Sequence, residues 1–170
     1  MATISPHPSI RGAYTLQDEI WLPRRIDEVF EFFADAYRLE DITPPWLHFQ
    51  VQTPKPVPMF PGSLIDYKLR LHGIPIRWQT EISAWEPPFR FVDRQLKGPY
   101  RLWRHLHTFE ERDGGTRVCD HVEYAAVGGW LVNRMFVRPD LERIFDYRHQ
   151  KMLEFLGQPS EVSFAAGNSR

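Results

Sequence analysis

The sequence holds a single cysteine, Cys119, which excludes an internal disulfide and leaves no cysteine-based zinc motif. No sign of charge dominates either. Lysine and arginine total 21 against 22 aspartate and glutamate, a net charge of -1, so no global basic field argues for nucleic acid. No apolar run approaches the ~20 residues of a membrane span. The first residues lack the charged-then-apolar pattern of a signal peptide, so a cytoplasmic protein is expected. A nucleophile elbow, a phosphate-binding loop and a dinucleotide fingerprint are also missing, and no cofactor is implied. Gly114-Gly115 belongs to a hairpin turn rather than a phosphate cradle.

Aromatic side chains are abundant: 14% of the chain, including six Trp and twelve Phe. The 170 residues suit one domain with a sizeable core, and no internal repeat is visible. Residues 1–12, with Pro6, Pro8 and Gly12 and no clear period, read as a flexible N-terminal arm. The single domain is then expected over 13–156, followed by a disordered tail over 157–170. Within it, 13–22 alternates as a first strand, and 25–34 switches to helical spacing with Ile26, Val29, Phe30 and Phe33 on one face. A short helical turn at 36–41 precedes the fixed bend Thr43-Pro44-Pro45-Trp46. Strands follow at 47–52, 64–71, 76–85 and 91–96, then a hairpin. A helical pattern from 130 to 156 uses Leu131, Met135, Phe136, Leu141, Ile144, Phe145, Met152 and Phe155, with a kink or break at Pro139. About seven strands of antiparallel sheet have one apolar face to cover, and only the C-terminal helix is long enough to cover it. The fold class is therefore α+β, a curved sheet wrapped around a long helix, with two short helices after the first strand.

The chemistry concentrates in 91–124, where two extended runs meet at Asp113-Gly114-Gly115. Alternation puts Arg101, Trp103, His105, His107 and Phe109 on one face, and Thr116, Val118, Asp120, Val122 and Tyr124 on one face across the turn. The apolar members must point inward, which carries His105, His107 and Asp120 inward with them. Ionisable groups on an aromatic inner face need partners or water. Cys119 falls on the outer face.

The order of elements, with Val29-Phe30-Glu31-Phe32-Phe33 opening the first helix, resembles the SRPBCC superfamily of START-like helix-grip proteins. The closer resemblance is to its bacterial cyclase/dehydrase or ligand-binding branch. It rests on Ile42-Thr43-Pro44-Pro45-Trp46-Leu47, Pro61-Gly62, Trp78 to Ile82, Phe91-Val92-Asp93-Arg94-Gln95, Gly98-Pro99-Tyr100, Trp103 to Phe109, and Gly115-Thr116-Arg117-Val118 with Asp120. The resemblance implies a deep pocket between sheet and helix that takes an apolar ligand such as a lipid, a polyketide or an aromatic compound. Relatives of this kind include lipid carriers, plant hormone-binding proteins and polyketide aromatase/cyclases.

Several readings of the inner face stay open at this point. His105 and His107 could start a metal site with Asp120 or Asp93, although such sites need three convergent ligands and a fixed second shell, and none is expected here. A buried His–Asp network could satisfy polar groups alone. The same residues, with Gln95 and Tyr100, could orient one polar group of an apolar ligand against Phe49, Tyr67, Trp78, Trp103 and Tyr124. A cyclase or dehydratase could use His105 or His107 with Asp120 as base and acid, with Arg101 steadying an enolate oxygen. A core filled by its own side chains is the remaining alternative. Trp46, Met59 and Phe60 are expected at the pocket mouth, as gates or plugs. Arg134, Arg138, Arg143 and Arg148 are expected on a solvated helix face, or against an anionic membrane. No feature of the sequence fixes an oligomeric state.

Overall fold

A computed structural model describes residues 2–159. The elements are β1 (Thr3–Pro6), β2 (Tyr14–Leu22), α1 (Ile26–Ala34), α2 (Arg38–Asp41), β3 (Gln50–Val51), β4 (Leu64–Leu71), β5 (Ile74–Glu86), β6 (Arg90–Lys97), β7 (Tyr100–Arg112), β8 (Gly115–Ala126), α3 (Gly129–Val132) and α4 (Arg138–Leu156). The strands form one curved antiparallel sheet in the order β1-β2-β8-β7-β6-β5-β4-β3, and α4 lies along its concave face. This is the helix-grip arrangement.

Each strand is built by alternation. In β2, Leu16, Asp18, Ile20 and Leu22 are buried while Gln17, Glu19 and Trp21 face solvent. The β7–β8 hairpin turns through Asp113 and Gly114, both at positive φ, as a two-residue loop requires. Gly115 closes it because a Cβ there would stand 2.4 Å from the Leu22 carbonyl oxygen. The stripe of α4 that meets the sheet is Leu141, Phe145, Arg148, Met152 and Leu156, spaced three or four apart. Met152 and Leu156 pack with Phe30 of α1 and with Phe91, Phe109 and Val118 of the sheet. Leu141 and Phe145 pack with Leu16, Val122 and Tyr124.

The structure corrects the sequence reading in four places. Residues 3–6, expected within a loose arm, pair with 14–17 as β1, so the sheet has eight strands rather than seven and the two short helices follow the second strand. Ile4, the one buried residue of β1, supplies the apolar anchor that the prolines obscured. The run 47–52 is mostly not a strand. Pro44 and Pro45 direct a 3-10 turn at Pro45–Leu47, and only Gln50–Val51 joins β4, although Leu47 and Val51 are buried as the alternation requires. The C-terminal helical pattern is broken before Pro139 by a π-helical turn at Asn133–Val137, and Pro139 sits in the first turn of α4, where its missing N–H costs nothing. Leu131, Met135, Phe136 and Phe155, expected on the buried stripe, are exposed. The expected tail lies outside the described residues beyond 159.

Phe30 ties α1 to the sheet through Trp85, Phe91 and Phe109 at ring separations of 5.1, 6.1 and 5.3 Å. Phe30→Ala should cost about 3–5 kcal/mol in denaturant unfolding. Phe60→Ala, at a half-exposed loop position, should stay within about 0.5 kcal/mol.

Candidate functional site

Register places the polar residues of four strands side by side on the concave face. Asp93 of β6 stands opposite His105 of β7, His107 opposite Asp120 of β8, and Asp120 opposite Asp18 of β2. His105 Nε2 lies 2.9 Å from Asp120 Oδ1, and His107 Nε2 lies 3.0 Å from Asp93 Oδ2. His107 Nδ1 is 2.7 Å from Asp120 Oδ1, close enough for charge attraction but not aligned as a hydrogen bond. His105 Nδ1 is 3.8 Å from Asp93 Oδ2. The two imidazoles lie 3.7 Å apart, and Phe91 stacks on His107 at 4.2 Å. From α4, Arg148 Nε reaches to 3.9 Å from Asp120 Oδ2, its guanidinium 5.5 Å above the Phe33 ring.

These groups shift one another's protonation. Burial alone would raise the Asp120 carboxyl, but Arg148, His105 and His107, the histidines by proximity and hydrogen bond, outweigh it and hold Asp120 well below the usual carboxylate range. Burial also opposes charge on His107. There, the charge of Asp120, with the hydrogen bond and charge of Asp93, overcomes that cost and pushes its pKa up. Burial and the neighbouring His107 charge push His105 down, and the carboxylates offset this only in part. These directions favour positive charge on His107 over His105, beside the Asp120 carboxylate and the Arg148 guanidinium. Nε2–H of His105 then donates to Asp120 and Nδ1 keeps its lone pair.

This wall borders a cavity of about 200 Å³. Apolar cavities of about 150 Å³ already accept a benzene-sized molecule. Of the residues expected to contact a ligand, Phe49, Tyr67, Trp78, Tyr100, Trp103, His105 and His107 line it. A bulge between Tyr100 and Leu102 lets Tyr100 and Trp103 share the inner face, their rings 4.8 Å apart, and Trp78 meets Trp103 edge-on at 5.3 Å. Burial raises the Tyr67 and Tyr100 hydroxyls above the ordinary phenol range, and nearby acidic groups add to it.

Two expected residues do not reach the cavity. The Gln95 amide is consumed by the turn, donating to the Tyr100 carbonyl at 2.8 Å and accepting from its N–H at 3.3 Å. Tyr124 is fully buried behind the wall, against Tyr14 and Tyr100. Asp120 sits beneath the histidines rather than on the lining. Arg101, expected beside an enolate, is exposed because the bulge turns it outward. At the expected mouth only Met59 lines the cavity. Phe60 faces solvent, and half-exposed Trp46 packs on Tyr147 and under Arg143 of α4.

Sequence reasoning missed Arg148, which is buried and lines the cavity instead of lying on a solvated face. Its spacing of three from Phe145 and four from Met152 was the available signal. Asp18 was also missed. It is buried beside Asp120, with His149 Nδ1 3.4 Å from its Oδ2.

Asp93, His105 and His107 offer ligand atoms within 4.8 Å of one another, a spacing a cation could use. Those atoms already pair with each other and with Asp120, and Arg148 brings a fixed positive charge to the same carboxylate. The donor set therefore suits a shared-proton network better than a metal.

The fold and this polar-walled hollow define the chain as a member of the SRPBCC superfamily, the START-like helix-grip class. The profile described as "Polyketide cyclase / dehydrase and lipid transport" matches residues 22–152, and the chain belongs to that family. Among solved structures, the Zhui aromatase/cyclase from Streptomyces sp. R1128 is similar at 14% identity and a TM-score of 0.66, covering 84% of this chain and 93% of its own. Protein Ms6760 from Mycobacterium smegmatis is similar at 17% and 0.63, covering 90% and 95%. Ginseng major latex-like protein 151 from Panax ginseng is similar at 11% and 0.61, covering 85% and 97%. At these identities the likeness concerns the fold. No curated protein matches the sequence.

The opposed histidine shifts predict a stability maximum near the ordinary imidazole pKa. A raised His107 binds its proton more tightly folded than unfolded, so its stabilisation is full below about pH 6.5 and is lost as pH rises through its folded value. A depressed His105 acts in reverse, losing its contribution as pH falls below about 6.5. Thermal melts should therefore show Tm falling from neutral toward alkaline pH, with a shallower fall in His107→Gln. An equal fall in both proteins would contradict the protonation of His107.

Proposed function

We propose that the protein binds a small or medium, mostly apolar molecule in the cavity between sheet and α4, with His105, His107 and Arg148 orienting its one polar group. The observation that carries this reading is the division of the cavity wall. Aromatic and aliphatic side chains make up most of it, and the ionisable residues cluster on one side. The charge balance narrows the ligand further. Asp93 and Asp120 are already matched by Arg148 and His107, so a free carboxylate would add an uncompensated charge in a low-dielectric hollow. A carbonyl or hydroxyl fits: either can accept from the Arg148 guanidinium, and a hydroxyl can donate to the lone pair of His105. The ligand class is thus a neutral apolar ketone, phenol or alcohol, lipid or polyketide in origin.

A second reading has its own support. A neutral His105 bonded to a carboxylate stands beside a protonated His107, two like groups driven apart in pKa. That pairing puts a base and an acid 3.7 Å apart. His105 would take the proton next to a carbonyl while His107 returns one to a departing hydroxyl, so that water leaves and an enone forms. Ligand binding is the parent claim, and dehydration or cyclisation would be built on it.

Mass spectrometry of the protein, native and then denatured and extracted, should release a neutral apolar molecule in near-stoichiometric amount. For a supplied aromatic alcohol or ketone, affinity should change as pH crosses neutrality. His107→Phe should weaken binding by about tenfold, because it leaves Asp93 and Asp120 undercompensated beside the ligand's polar group, whereas outward Arg104→Ala should leave it unchanged. A flat pH profile, or equal effects of the two substitutions, would remove the histidines from the ligand site.

A further inference from the structure

Between β8 and α4 the chain turns an apolar surface outward that no element among the described residues covers. Val127, Trp130, Leu131, Met135 and Phe136 are all about half exposed or more, Trp130 at 63% and Met135 at 59%. The backbone arranges this deliberately placed face. The π-helical turn at Asn133–Val137 interrupts the α-helical period, and Trp130, Leu131, Met135 and Phe136 are left exposed around it. Asn133, within the π turn, is buried. The β4–β5 hairpin extends the same surface. His72 at its tip lies 6.1 Å from the Phe136 ring, its Nε2 2.7 Å from Asp140 Oδ2, and Ile74 beside it is 63% exposed.

The two segments that build this face carry charge of one sign. No Asp or Glu occurs in 67–80 or in 124–139, whereas Lys68, Arg70, Arg77, Arg134 and Arg138 do, in a chain whose net charge is -1. The adjacent acids are already engaged, Asp140 with His72 and Glu142 with Arg138 at 2.9 Å. Exposed Trp, Leu, Met and Phe flanked by arginines are what an interfacial helix needs to enter the headgroup layer of an anionic bilayer. An apolar protein partner would not require the cations, and a second copy would bring like charges together. The position also has a consequence. Leu71 and Leu141 line the cavity, and each is one residue from the His72–Asp140 pair, so the face lies over one end of the hollow.

We propose that the 127–136 segment and the β4–β5 hairpin tip form a docking surface for anionic phospholipid membranes. Docking there sets the end of the cavity at the lipid–water boundary. The surface is independent of which ligand the cavity holds, and it is tested without one.

Co-sedimentation with vesicles of phosphatidylcholine alone, and of phosphatidylcholine mixed with phosphatidylglycerol, reads it directly. The protein should pellet with the mixed vesicles, several-fold less with phosphatidylcholine alone, and be released by added salt. Trp130→Ser/Met135→Ser should lower partitioning at least about tenfold, and Arg134→Ala about fivefold. All three residues are exposed, so thermal melts should match the wild type. Protein remaining in solution with both vesicle types would overturn the proposal. So would pelleting that the double substitution leaves unchanged, which would put the contact elsewhere. A doubled mass by light scattering, abolished by the double substitution and without vesicle binding, would assign the face to a second copy of the chain instead.

Discussion

Burying Asp120 as an ion is the requirement on which the architecture turns. A carboxylate in the concavity of a sheet, away from water, is tolerated only with compensating charge and hydrogen bonds. Two elements supply them: β7 brings His105 and His107, and α4 brings Arg148, while Asp93 from β6 holds the far side of the His107 ring. Each contribution depends on position. Slipping β7 by one residue would send both histidines to solvent, and rotating α4 by one residue would carry Arg148 off the buried stripe. The polar cluster thus selects the register of the sheet and the azimuth of the helix, which the apolar contacts alone specify less sharply. Removing one partner, as in Arg148→Met, leaves a buried charge uncompensated and is far more disruptive than exchanging one apolar core residue for another.

The same arrangement leaves space. A single helix over an eight-stranded curved sheet meets the β2–β8–β7 side closely through Leu141, Phe145 and Met152. Toward β4 and β5 it stands away, and Tyr67, Trp78 and Ile65 face the hollow rather than helix side chains. The ionisable wall therefore borders a void on one side and packed core on the other. Its members are rigid before any ligand arrives, since Phe91 and Phe33 clamp the His107 ring and the carboxylates hold both imidazoles. Preorganisation of this kind lowers the ordering cost of binding. If chemistry occurs, it also keeps a base and an acid aligned.

Much of this was legible in the sequence, for identifiable reasons. Alternation in β2, β4, β7 and β8 assigned the inward faces, and the Asp113-Gly114 turn set the register that brings His105, His107 and Asp120 together. What escaped were interruptions of period. The bulge at Tyr100–Leu102 reversed Arg101, and the π turn exposed Leu131, Met135 and Phe136 from a stripe that read as buried. Prolines concealed β1, and the alternation of Leu47, Phe49 and Val51 suggested a longer strand after Trp46 than exists. Gln95 was lost to a turn bond that only the folded geometry shows, and Arg148 was read by charge rather than by its place on the helix.

The central claim is that the His–Asp wall faces ligand. Side-chain nitrogen NMR of histidine-labelled protein, titrated with a two-ring phenol such as 2-naphthol, tests it most directly. The account predicts that the His105 and His107 ring signals move on binding and report one neutral and one protonated imidazole beforehand, while those of exposed His48 and His72 stay fixed. Saturable binding with both inner rings unmoved, or two inner rings in the same charge state, would contradict it.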